Sequence, residues 1–195
     1  MARDTLADLA DEALLVLYAN GDPDAARLLA SRLLPRILGY AARLLADRTE
    51  AEDIAQEAML RLWRIAPDWR QGEALVSTWI YRVATNLCTD RLRARKRRQT
   101  DALDQVAEPE DGAPGVVAGM IEADRMAALT AALASLPDRQ REAVILRHIE
   151  GLTNPEIAQV LQIGVEAVES LTARGKRALT TALADQRQAL GYQEA

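Results

Sequence analysis

The chain has 195 residues, of which 49% are hydrophobic and 27% charged, and its formal net charge is −5. A single cysteine, Cys88, excludes an internal disulfide, and the single histidine, His148, argues against a metal site built from the softer ligands. No apolar run reaches the roughly 18 residues of a membrane span. No phosphate-binding loop or catalytic motif occurs either, so we expect a cytoplasmic, non-enzymatic protein without a cofactor or metal.

The first half of the chain is predicted to be helical. Apolar residues recur at helical spacing over 5–18 and 24–46, and Pro35 predicts a kink or a junction in the second segment. A third helix is predicted over 49–66, with Thr49 as N-cap and Glu52 completing a capping box. Pro67 is expected to end this helix.

The predicted third helix has two distinct faces. Asp53, Glu57 and Arg61 follow one another at intervals of four and share one exposed stripe. Apolar positions of the same helix fall on another face; they are Ile54, Ala58 and Leu62. The charged stripe is either a solvated surface or a surface that contacts a partner.

A fourth helix is predicted over 75–96, with aromatic residues at its start and basic residues at its end. Six of the eight residues over 91–98 are basic, namely Arg91, Arg93, Arg95, Lys96, Arg97 and Arg98. Clustered arginine and lysine neutralise phosphates and release counterions, which favours nucleic acid as partner. The alternatives are a solvated basic face or a tail that binds a protein.

The second half begins with an acidic stretch rich in proline and glycine, which is typical of a flexible linker. Further helices are predicted, ending at Pro137 and Gly151. Thr153 and Glu156 form a capping box that opens a helix over 154–161. A turn at 162–164 and a long helix over 165–188 complete a helix-turn-helix pattern, in which the apolar residues of the two helices pack together.

The sequence therefore predicts an all-α protein of two small helical domains, residues 1–99 and 122–195. They are joined by a flexible acidic linker over 100–121, and the second domain contains the helix-turn-helix. Three segments in this order resemble the extracytoplasmic-function sigma factors, the smallest members of the primary-sigma superfamily. The segments are RTEAEDIAQEAMLRLWRIAPDW (48–69), STWIYRVATNLCTDRLRARKRR (77–98) and LPDRQREAVILRHIEGLTNPEIAQVLQIGVEAVES (136–170).

The resemblance implies binding to core RNA polymerase and to promoter DNA with −10 and −35 elements. The residues that correspond to the polymerase-binding surface of the family are Asp53, Gln56, Glu57, Leu60, Arg61 and Trp63. Of these, Trp63 is expected to lie partly in the core.

The resemblance also assigns residues to the −10 region. Trp79, Tyr81, Arg82 and Asn86 are expected to hold the opened strand, since aromatic faces stack on unpaired bases and an amide bonds to base edges. Trp79 is alternatively a core anchor. The basic residues Arg91, Arg93, Arg95, Lys96, Arg97 and Arg98 are expected to follow duplex phosphates upstream.

The long final helix is expected to enter the major groove at the −35 element. The residues assigned to this contact are Thr153, Glu166, Glu169, Ser170, Arg174, Lys176 and Arg177. The sequence departs from the common family pattern, because Gln162 stands where a glycine is frequent and Gly164 stands where a serine is frequent. Glu166 and Glu169 either select bases or face solvent.

Control by an anti-sigma factor is a further implication of the resemblance. The main alternative is a stand-alone helix-turn-helix regulator that acts without replacing sigma. A third possibility is an enzyme that acts on nucleic acid, but the sequence has no metal-ligand cluster with convincing spacing. Asp53 and Glu57 could be proposed as metal ligands. A pair of carboxylates on a helix surface is, however, more often solvated or protein-bound.

Overall fold

A computed structural model describes residues 6–70, 72, 74–101 and 117–184 of the protein, and over these ranges it contains helices and no strand. The first domain consists of α1–α4 and the second of α5–α8. The helices are α1 (Asp11–Ala19), α2 (Pro23–Leu45), α3 (Arg48–Ile65), α4 (Val76–Asp101), α5 (Val117–Ala134), α6 (Asp138–His148), α7 (Asn154–Leu161) and α8 (Val165–Ala184). A short 3-10 turn, Ala66–Asp68, follows α3 and contains Pro67.

Helix α2 is the centre of the first domain and packs against α1, α3 and α4. Its buried residues recur every three or four positions, as in Leu29, Leu33, Ile37 and Leu44. The helix continues through Pro35, so the predicted junction is wrong. Pro35 is exposed, and the carbonyl that loses its helical hydrogen bond can therefore be solvated.

The start of α3 differs from the prediction. Asp47, not Thr49, is the N-cap, and its side chain accepts a hydrogen bond from the Glu50 backbone N–H at 2.9 Å. The capping box predicted at α7 is confirmed, with Thr153 and Glu156 satisfying each other's backbone N–H groups. Both caps are local motifs. At α3 the N-cap is Asp47, two residues upstream of Thr49, which is the weaker candidate.

The helix-turn-helix of the second domain is confirmed by α7, the turn over 162–164 and α8. Leu161 and Val168 are buried between the two helices, as their spacing predicted. Helix α8 also approaches α6 closely at Gly175, where a Cβ atom would lie 2.5 Å from Val144 Cγ2.

Helix α5 begins at Val117, which lies within the stretch 100–121 that was predicted as linker. The domain boundary near 121 stays a prediction. The rest of that linker, 102–116, and the predicted continuation of α8 to 188 lie outside the described residues. The two domains contact each other, with α4 against α7 and α2 against α5 and α6. None of the described helices combines the length and apolarity that a bilayer crossing requires.

Candidate functional site

The charged stripe of α3 lies where the spacing predicted it. Asp53 and Arg61 are exposed, and Arg61 Nε donates a hydrogen bond to Glu57 Oε1 at 2.8 Å. This hydrogen bond lowers the pKa of Glu57, which therefore stays ionised over the neutral range. The opposite face is buried through Ile54, Ala58 and Leu62. The stripe is available to a partner and is not required for the core.

Beside the stripe, α2 and α3 enclose an apolar groove of about 520 Å³. Three residues assigned from the sequence line it, namely Gln56, Leu60 and Trp63. Leu60 is 43% exposed, and Leu34, which lines the groove from α2, is 41% exposed. Exposed leucines in a groove are typical of a protein interaction site.

The groove also contains residues that the sequence assignment missed. Leu34 and Leu38 of α2 and Met59 of α3 line it together with the assigned residues. No local signal distinguishes these leucines from the core leucines of α2, since both sets belong to one apolar helix. Trp63 is partly buried, as expected, and its ring lies 4.5 Å from that of Tyr18.

The aromatic start of α4 borders a crevice of about 340 Å³ between the domains. Trp79 and Arg82 line the crevice from the first domain, and Gln159 and Gln162 line it from the second. The Trp79 ring also packs edge-on against Trp69, with centroids 6.2 Å apart, so it is both a packed residue and a wall of the crevice.

Two other residues assigned to the opened strand differ sharply in exposure. Asn86 is exposed, whereas Tyr81 is 1% exposed and its hydroxyl donates a hydrogen bond to Glu150 of the second domain. Tyr81 therefore offers no face for stacking in this arrangement of the domains. Its assignment to the −10 region stays a prediction for a form in which the domains separate.

The basic run of α4 is divided into two parts. Arg95 donates to the Leu45 carbonyl at 2.8 Å and to Asp47 at 3.0 Å, and its Nη2 lies 2.9 Å from Glu50 Oε2. Arg91 lies 3.8 Å from Glu50 and from Asp53. These arginines join α4 to α3 and to its N-cap Asp47.

The remaining basic residues lie nearer the end of α4. Arg93 lies 3.8 Å from Asp90, and Lys96 Nζ donates to Asp138 of the second domain at 2.6 Å. Arg97 and Arg98 are exposed, and no carboxylate within the described ranges pairs with them. These two residues are therefore accessible to phosphates.

The −35 residues lie mostly on the exposed side of α8. Its basic residues, Arg174, Lys176 and Arg177, are exposed, as is Glu166 in the first turn. Glu169 Oε1 accepts a hydrogen bond from Asn154 Nδ2 at 3.4 Å, and Ser170 Oγ accepts one from Arg174 Nη2 at 2.6 Å.

Thr153 differs from the other residues assigned to the −35 contact, because its hydroxyl is engaged with Glu156 in the cap of α7. The structure therefore gives Thr153 a capping role, and its contact with DNA stays a prediction.

Gln162 in the turn has φ of +55°, a left-handed conformation that disfavours side chains other than glycine. Gln162→Gly should therefore raise the free energy of unfolding by about 1 kcal/mol, which urea denaturation would measure. Gln159→Gly, within α7, should instead lower it by about 1 kcal/mol. If Gln162→Gly does not stabilise the protein, or if both changes lower the free energy of unfolding equally, this reading of the turn is contradicted.

Comparison with known families matches two sequence models, Sigma-70 region 2 over residues 29–98 and Sigma-70 region 4 over residues 126–179. The RNA polymerase sigma-H factor of Pseudomonas aeruginosa is 34% identical, over 89% of this chain and 93% of the relative. The ECF RNA polymerase sigma factor SigW of Bacillus subtilis is 33% identical, over 85% of this chain and 92% of the relative.

Solved structures share the fold. CnrH, in complex with the cytosolic domain of CnrY, has a TM-score of 0.67 and 25% identity, covering 91% of this chain and 99% of that one. The sigma factor RpoE of Bartonella quintana, solved with the anti-sigma factor NepR, has a TM-score of 0.67 and 21% identity, covering 81% of this chain and 96% of that one.

Both domains thus define a sigma-70-type transcription initiation factor, with region 2 in the first domain and region 4 in the second. The chain belongs to the extracytoplasmic-function (ECF) group of RNA polymerase sigma factors.

Proposed function

We propose that the groove between α2 and α3, with the adjacent charged stripe, is the surface by which this sigma factor binds core RNA polymerase. The groove supports this role because Leu34 and Leu60 expose apolar area beside the ion pair of Glu57 and Arg61. Desolvated leucines supply affinity, whereas charges at the rim fix the orientation of the partner. A partner surface of one or two helices with complementary charge fits a groove of this shape.

Promoter recognition is divided between the domains in this proposal. In the first, Trp79, Arg82 and Asn86 hold the opened −10 strand, with Tyr81 joining them when the domains separate. Arg97 and Arg98 contact duplex phosphates next to it. In the second, α8 enters the major groove at the −35 element, where Arg174, Lys176 and Arg177 contact phosphates. The exposure of Asn86, of Arg97 and Arg98, and of the basic residues of α8 supports the assignment.

The protein acts in the cytoplasm with the polymerase, and it contributes binding and positioning rather than catalysis. Domain boundaries near 99 and 122 remain part of the proposal. We also infer control by an anti-sigma partner. The family resemblance and the protein-bound form of CnrH support this inference.

Reconstituted transcription tests the proposal. The full chain added to core polymerase should give promoter-dependent transcripts, while the chain alone should bind the same duplex weakly. Tight binding to the duplex without polymerase, combined with no association with the core enzyme, would instead favour the stand-alone regulator.

A finer test concerns the opened strand. Asn86→Ala should change the preference among −10 sequences, because a base-edge hydrogen bond is lost, without changing the affinity for core polymerase. A loss of transcription that is uniform across −10 variants would contradict base reading by Asn86.

A further inference from the structure

Helix α4 begins without a capping side chain at its own N-cap position. Leu75 occupies that position, and its carbonyl accepts a hydrogen bond from the Trp79 N–H at 3.0 Å. The first N–H groups of a helix need acceptors from outside the helix, and a leucine side chain offers none. The kind of N-cap that opens α3 and α7 is therefore missing from position 75.

A side chain of α1 supplies an acceptor for this helix start, from 64 residues earlier in the chain. Glu12 Oε1 accepts a hydrogen bond from the Val76 N–H, the first of α4, at 2.8 Å. The carboxylate also lies at the positive end of the helix dipole, which favours a negative charge. Glu12 is thus a cap for α4 that the sequence does not reveal, because the two residues are close only in the folded chain.

Helix α1 is anchored on both sides of Glu12. After it, Leu14 and Leu15 are fully buried in the core of the first domain. Before it, Asp11 accepts a hydrogen bond from Arg32 of α2 at 3.0 Å. A side chain on a backbone held in this way keeps its position without a large loss of conformational freedom when it binds, as a preorganised contact requires.

The other end of α1 contacts the proposed polymerase surface. Tyr18 lies six residues after Glu12, about 9 Å along the helix. Its ring packs on that of Trp63, with centroids 4.5 Å apart, and Trp63 lines the groove between α2 and α3. Helix α1 therefore connects this groove with the first turn of α4.

The first two turns of α4 carry groups that are assigned to the opened strand. Trp79 and Arg82 lie three and six residues after Val76. A helix that loses its cap frays from the first turn, so Trp79 would be the first to lose its fixed place against Trp69. Residues further along the helix, such as Asn86, would be affected less.

We propose that Glu12 is a positioning residue for promoter opening. By capping α4 it holds Trp79 and Arg82 in the geometry that receives the unpaired −10 strand, without touching DNA itself. The positioning rests on the proposed −10 function of α4, whereas the cap rests only on the contact between Glu12 and Val76. The sign of the effect distinguishes this role from that of a solvated acid near DNA, because removal of such an acid would strengthen binding to phosphates.

Amide hydrogen exchange of the free full-length chain tests the cap. Glu12→Ala should speed exchange of the Val76 amide roughly fivefold, as expected for the loss of an N-cap hydrogen bond. Glu12→Asp keeps the charge but shortens the side chain by one methylene, and should have the same effect. Glu12→Gln keeps the acceptor and should stay within about twofold of the wild type. The exposed Asp8 provides the matched control, since Asp8→Ala should leave the exchange unchanged.

Promoter opening by the reconstituted polymerase tests the positioning. On a promoter that the wild-type holoenzyme opens, permanganate reactivity of −10 thymines should fall roughly fivefold for Glu12→Ala and Glu12→Asp, and stay within about twofold for Glu12→Gln. The affinity for core polymerase should not change, since Glu12 does not line the groove. Combined with Arg82→Ala, Glu12→Ala should reduce opening by less than the product of the two single effects, because both changes act on the same turns of α4.

Four outcomes would overturn the proposal. Unchanged exchange at Val76 in Glu12→Ala would refute the cap. Faster exchange with normal opening, while Arg82→Ala impairs opening, would refute the positioning and leave the −10 function of α4 in place. Normal opening in both variants would refute that function together with the positioning. Stronger opening by Glu12→Ala, or equal impairment by Glu12→Gln and Glu12→Ala, would show that the charge of Glu12 acts and not its hydrogen bond.

Discussion

Leu60→Asp should weaken the affinity of the sigma factor for core RNA polymerase by roughly 30- to 1000-fold, which corresponds to about 2–4 kcal/mol for a central interface residue. Leu60 lines the groove and is 43% exposed, so the substitution removes apolar contact area and places a carboxylate where the partner would exclude water. The fold itself should be little affected, because a side chain so exposed contributes little to the core.

Pull-down and fluorescence titration with core polymerase would measure the loss. Met126→Asp on α5 is the matched control, since Met126 is 48% exposed and lies in the other domain, away from the groove. It should leave the affinity within about twofold, since it lies outside the proposed interface. Equal losses for both variants, or none for Leu60→Asp, would place the polymerase contact elsewhere.

The double variant Arg97→Gln with Arg98→Gln should lower promoter affinity of the reconstituted polymerase on the order of 50-fold at 0.1 M salt. Each phosphate contact contributes a slope of about −0.9 in a plot of log K against log salt, so the slope should flatten by about 1.8. Thermal stability should hardly change, because both residues are exposed and unpaired with carboxylates within the described ranges.

Arg95→Gln provides the contrasting result. Arg95 bonds to the buried Leu45 and to Asp47 and lies against Glu50, so its loss removes a partner from part-buried acceptors. The free energy of unfolding should fall by about 2 kcal/mol, and the salt slope should stay near the wild-type value. A flattened slope for Arg95→Gln, or an unchanged slope for the double variant, would show that the six basic residues act as one uniform patch.

Local patterns in the sequence predicted the helices well, because the signals that determine them lie within a few residues. The capping box of Thr153 and Glu156 and the buried pair Leu161 and Val168 are examples. The cap of α3 was misplaced by two residues, since Asp47 and Thr49 are both acceptable N-caps and only the structure distinguishes them.

Pairings between distant residues could not be predicted in the same way. Arg95 and Asp47 are 48 positions apart, and Tyr81 and Glu150 are 69 apart. In the sequence, the basic run therefore looks like a uniform phosphate-binding surface. In the structure, Arg91 and Arg95 instead stabilise the packing of α3 on α4. The contribution of Leu34 to the groove was hidden for a related reason, since an exposed leucine and a core leucine look alike on one helix.

The ion pairs that join α3 to α4 have a consequence for where transcription begins. Arg91 and Arg95 hold α4 to the acidic residues of α3, which also carries the proposed polymerase surface. The two helices therefore move as one body. When the polymerase binds α3, α4 is held at a fixed distance from the catalytic centre of the polymerase. Start-site choice should therefore follow the position of the −10 element.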